Sequence, residues 1–180
     1  RFHAGATLEK VNFKKLARAL TGTELSLEDF TGELTGRITL EGLVGRGQEH
    51  TYDGKGDVRV TDANLFQLPL FGSLSDMLSR KVPGVGYVLR QDTAFGSFDI
   101  KGGRFHTDDL RIEGDILSLK ADGHYDMQSG QMDFDVELRF LRNKTWVGDL
   151  LQTIMLPVTK MFRVRLRGTL EDPRWSSVNF

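Results

Sequence analysis

Two periods run along this chain and divide it into helical and extended stretches. Phe13, Leu16, Ala17 and Leu20 recur at i, i+3, i+4 and i+7 behind Asn12, a residue type that caps helix starts. Gly22 follows where a left-handed residue would end the helix, so the spacing predicts a helix over 12–20. Phe30, Leu34, Ile38 and Leu40 then sit among Gly32, Gly36 and Gly42, which predicts a strand with turns or bulges at the glycines. The polar, glycine-rich run from Gly45 to Gly54 reads as a loop, and Val58 and Val60 alternate with charges in the next strand. Leu65, Leu68, Leu70, Phe71, Leu74, Met77 and Leu78 make a broad apolar stripe that predicts a second helix over 64–80. Pro69 suits its early turn, and Pro83 with Gly84 ends it.

From Phe95 to Phe140 the period is two. Phe98 and Ile100 alternate with Asp99 and Lys101 before the Gly102-Gly103 turn. Leu117, Leu119, Ala121, Gly123, Tyr125 and Met127 lead to Ser129-Gly130, and Met132, Phe134, Val136, Leu138 and Phe140 repeat the pattern. Strict alternation leaves one face apolar and one wet, as in an antiparallel meander, and the turns are too short for parallel crossovers. Trp146, Val147, Leu150, Leu151, Ile154, Met155 and Val158 predict a third helix, kinked or ended at Pro157. Phe162, Val164, Leu166, Gly168 and Leu170 alternate with Arg163, Arg165 and Arg167 in a last strand that Asp172-Pro173 stops. The expected fold class is therefore α+β: a curved antiparallel β-meander with about three helices packed on its apolar face. Asp133, Asp135 and Glu137 are expected to lie beside the three arginines as facing charge rows of neighbouring strands.

Charge and composition narrow the function. Lys+Arg 24 against Asp+Glu 25 excludes a generally basic nucleic-acid binder. Cysteine is absent, which removes thiolate nucleophiles and Cys-ligated metals. His106 with Asp108, and His124 with Asp126, have the i, i+2 spacing that puts two side chains on one face of a strand, but exposed polar residues explain them as well. Asp108-Asp109 reads as a turn. No nucleophile elbow, phosphate-binding loop or HExxH motif occurs, so no catalytic, cofactor-binding or metal-binding residue is assigned and the chain is read as a non-enzyme. The informative feature is apolar. Phe98, Ile100, Leu117, Leu119, Phe134, Val136, Leu138, Val164 and Leu166 share one face, and water does not tolerate such an area bare. Helices or an apolar ligand must cover it, which makes these nine the candidate lipid contacts.

No stretch is apolar enough to span a bilayer, and no signal peptide is present. The first residue is Arg1 in place of Met, as expected of a mature form or an excised fragment.

Four stretches together resemble the C-terminal region of the AsmA-like family. They are Gly56 to Leu65 followed by Leu68 to Leu78, Phe98 to Gly114, Leu117 to Met127, and the ending Val164 to Trp175 with its Gly-Thr-Leu-x-x-Pro pattern. The resemblance covers roughly residues 30–175, and the order of glycines and alternating apolar positions carries it. It implies a bacterial cell-envelope protein on the periplasmic side, tethered to the inner membrane by an anchor upstream of this chain. It further implies outer-membrane biogenesis and phospholipid transport through an apolar β groove, with no catalytic residues and no cofactor. The chain is then one AsmA-like C-terminal domain over 1–180, with 1–29 as an N-terminal extension, cut from a longer protein. The expected partner is a phospholipid or other acyl-chain lipid, with envelope proteins besides. The rival expectation is a docking scaffold that binds no lipid in this segment.

Overall fold

Alternation of apolar and polar residues, broken by glycine and Asx turns, gives this chain strands in hairpin succession. The computed structural model describes residues 1–12, 32–63, 65, 69–81, 91–114, 117–140 and 161–179. They form β1 (Phe2–Asn12), β2 (Glu33–Gly42), β3 (Asp53–Thr61), α1 (Gly72–Lys81), β4 (Gln91–Lys101), β5 (Arg104–Gly114), β6 (Leu117–Asp126), β7 (Met132–Phe140), β8 (Met161–Gly168) and β9 (Pro173–Asn179). All nine strands belong to one sheet, each antiparallel to the next, in the order of the chain.

The turns follow from local chemistry. Gly102 and Gly103 both have positive φ, 55° and 74°, which a two-residue hairpin with the right-handed strand twist requires. Between β6 and β7, Asp126 organises the loop: one carboxylate oxygen accepts from the Ser129 N–H at 2.8 Å, the Ser129 hydroxyl at 2.9 Å and the Gln128 N–H at 3.1 Å. Three loops at this end of the sheet are tied through Gly103, which donates to the Tyr52 carbonyl and accepts from Met127 N–H.

The structure corrects the expected fold class. In place of three helices on a meander, the described residues show a nine-stranded antiparallel sheet with one α-helix and short 3₁₀ turns at Glu49–Thr51 and Pro69–Phe71. Asn12 ends β1, paired with Glu33, and the helix expected after it, over 13–20, lies outside the described residues. The helix expected over 64–80 becomes α1 only at Gly72. Proline disfavours the α conformation in the residue before it, and here Pro69 opens a 3₁₀ turn instead. The third expected helix lies within 141–160, outside the described residues. Pro173 starts β9 where it was expected to stop the sheet, since a residue without an N–H is tolerated at the first position of an edge strand.

The core lies on one face of the sheet. Leu74 and Leu78 of α1 are fully buried and belong to one cluster with Leu34, Val60, Ala94, Ile112, Leu117, Leu119, Leu138 and Val164. Trp175 anchors this layer to the far edge: its indole N–H donates to the Leu70 carbonyl at 2.8 Å, and its ring lies 6.0 Å from that of Phe71. The helix covers part of the apolar face, and what it leaves uncovered is the candidate site.

Candidate functional site: an apolar cleft on the sheet

Between the start of α1 and the strands β5 to β9 lies a cleft of about 290 Å³. Its floor is built by alternate residues of neighbouring strands, which the register brings side by side: Leu110, Ala121 and Val136 in one row, and Phe134, Leu166 and Trp175 in another. Phe105, Tyr125 and Met132 continue it, and Leu70, Phe71 and Leu170 border it. No charged side chain lines it. Leu170 is 53% exposed, so this border meets solvent.

The nine residues expected to touch lipid divide into groups. Leu119, Phe134, Val136 and Leu166 line the cleft. Phe98 does not line it but packs against Phe105, which does, with ring centroids 4.9 Å apart. Ile100, Leu117, Leu138 and Val164 are buried and lie outside the lining, Leu138 and Val164 with no exposed surface at all. Phe98 and Phe134 share a local device. Each sits directly opposite a glycine of the neighbouring strand, Gly56 and Gly123, and its ring occupies the space a Cβ would need. A glycine here leaves room for the aromatic ring of the facing residue to lean over the neighbouring strand.

Sequence reasoning did not name ten of the fourteen lining residues as site residues, Leu70, Tyr125 and Trp175 among them. Trp175 carried the best available signal, an aromatic residue two positions after Pro173, but only the ninth strand brings it against Leu166.

The wet face is chemically quiet. β7 and β8 set Asp133 opposite Arg167, Asp135 opposite Arg165 and Glu137 opposite Arg163. The Arg165 Nε–H donates to Asp135 at 2.7 Å and Arg167 to Asp133 at 3.0 Å, while Arg163 reaches Glu137 at 3.3 Å. The hydrogen bond from Arg165 outweighs partial desolvation and holds the Asp135 carboxyl below its ordinary value; the same bond raises Arg165. A second cleft of about 420 Å³ lies over this ladder, and within it Arg165 pairs with Asp135 and Arg163 with Glu137.

Asp108 and Asp109 do not form a turn. They are a bulge within β5, two residues opposite the single Asp122. Partial burial pushes Asp109 up, but hydrogen bonds from the Ser97 N–H at 2.7 Å, the Ser97 hydroxyl at 2.8 Å and the Thr107 hydroxyl at 3.3 Å prevail and leave its carboxyl below the usual range. His106 and Asp108 are both exposed on either side of the buried Thr107, and His106 lies opposite His124 with its Nδ1 3.7 Å from Asp99. Asp126 serves its turn, held low by hydrogen bonds from Ser129. Among the described residues, no group of three His, Cys, Asp or Glu side chains is arranged to hold a metal ion. No described helix is long and apolar enough to cross a membrane.

Comparisons with protein families, with curated proteins and with solved structures each find no match to this chain.

Proposed function

We propose that this domain is a non-catalytic lipid-binding module that holds one acyl chain of a phospholipid or related lipid in the cleft between the Leu70-Phe71 turn and strands β5 to β9. The observation that carries this reading is the cleft itself. It is lined by apolar and aromatic side chains, opens to solvent at Leu170, and is close to the lower end of the volumes that small ligands occupy, about 300 Å³. Solvent-exposed apolar surface of this kind gains about 25 cal/mol for each Å² that an acyl chain removes from water. The resemblance of residues 30–175 to the AsmA-like C-terminal region supports the wider setting. In that setting the module serves outer-membrane biogenesis and phospholipid transport on the periplasmic side of the cell envelope, as part of a protein tethered to the inner membrane.

The test is mass spectrometry of an organic extract from detergent-free protein, wild type beside Leu170→Asp. Leu170 is already exposed, so the substitution adds a charge at the cleft border without burying it. Acyl-chain lipid in the wild-type extract, reduced several-fold in the variant, is the expected result. Equal lipid in both, or none in either, contradicts the reading; the second result favours a docking scaffold.

A further inference from the structure

Of the fourteen side chains that line the cleft, only those of Tyr125 and Trp175 carry a hydrogen-bond donor. The Trp175 indole N–H is committed to the Leu70 carbonyl at 2.8 Å. The Tyr125 hydroxyl has no hydrogen-bond partner among the described residues. An otherwise apolar wall thus carries one uncommitted donor. The two ends of the cleft also differ. At one end the register sets Phe105, Tyr125 and Met132 in a row, with Phe105 and Tyr125 half-buried. Gly168 pairs with Met132 there, and the exposed Leu170 follows it in the turn. At the other end Ile112 and Leu119 lie opposite each other, and both are buried. A strand rises about 3.3 Å per residue, so Tyr125 and Leu119 stand roughly 20 Å apart along β6.

We infer that Tyr125 fixes the direction in which a lipid lies. Its phenol donates to the carbonyl oxygen at the head of the acyl chain, and the methyl end of the chain points toward Ile112 and Leu119. The inference rests on the proposed lipid binding and gives it an orientation and a ligand class: a long chain with an acceptor oxygen at one end, in preference to a bare hydrocarbon. The reverse orientation would carry the carboxylate or ester to the buried end, where it would lose water and find no donor on the cleft wall. At the Tyr125 end the head stays beside solvent and gains a hydrogen bond that is stronger when the acceptor is charged.

Trp175 can report the orientation, because it stands one row in from Tyr125, in line with Phe134 and Leu166. In the whole chain carrying Trp146→Phe it is the only tryptophan. Hexadecanoic acid brominated beside the carboxyl carbon should quench Trp175 more strongly than the same acid brominated at its methyl end. Tyr125→Phe keeps the ring and removes the hydroxyl. It should weaken binding of the acid about tenfold and of its methyl ester about threefold, and leave a bromoalkane of equal length bound as in the wild type. Unchanged bromoalkane binding also shows that the cleft is intact in the variant. Weakening confined to the acid assigns the site to free fatty acids; weakening of both extends it to esterified chains. Stronger quenching from the methyl end, or a variant that binds acid and ester as tightly as the wild type, overturns the inference while leaving a lipid in the cleft. Quenching from neither position removes the proposed lipid binding and this inference with it.

Discussion

Asp109 shows how single residues repair what the sheet breaks. A bulge in β5 takes the normal acceptor away from Ser97, and the Asp109 carboxylate replaces it, accepting from the Ser97 backbone and hydroxyl together. Asp109→Ala should therefore destabilise the domain by about 1–2 kcal/mol in chemical denaturation, toward the low end for hydrogen bonds to a charged group because the site is partly exposed. Its carboxyl is held below the ordinary value in the folded state. Stability from this group is thus present above the unfolded pKa, near about 3.9, and is lost as pH falls through the folded value. The melting temperature should drop on acidification below about pH 4, and by less in Asp109→Asn than in the wild type. An Asp109→Asn protein with the wild-type acid profile would show that other carboxylates carry the whole effect. The Asp108-Asp109 pair was read from sequence as a turn because Asp favours turns. Only the count of residues on the facing strand, two against one, distinguishes a bulge from a turn, and that count is a tertiary fact.

At the scale of elements, what was legible is what alternates strongly. The strands from Phe95 to Phe140 could be read because large apolar residues alternate with charges, and the facing rows on β7 and β8 because three acids and three arginines share that period. The exact partners were not legible, since the connection between the strands sets the offset. The structure puts Asp135, not its neighbour Glu137, opposite Arg165. Arg165→Glu should then lower the melting temperature. Adding Asp135→Arg should recover most of the loss, whereas adding Glu137→Arg should recover little. Equal recovery by either second change would mean that net charge matters and the pairing does not. β1 escaped the reading because two of its apolar-side residues, Ala4 and Ala6, are small, bury little and leave a faint period. β9 escaped it because Asp-Pro reads in a sequence as a strand end, although an edge strand tolerates proline at its first position.

For the whole molecule, the candidate site was half legible. Alternation identified the apolar face correctly, and four of its nine named residues, Leu119, Phe134, Val136 and Leu166, border the cleft. It could not separate them from Leu117, Leu138 and Val164, because residues on one face of a sheet have the same period whether α1 covers them or not. Only the position of the helix and of Trp175 draws that line. The central claim is that an acyl chain lies beside Trp175, and quenching by a brominated fatty acid tests it most directly, since bromine quenches indole fluorescence only at contact. In a Trp146→Phe background, where Trp175 is the sole tryptophan, the emission should fall saturably with added brominated acid and should not fall in the Leu170→Asp variant. Unchanged Trp175 emission in the folded protein, at concentrations where the unbrominated acid is shown to bind, would place the lipid elsewhere and contradict the account.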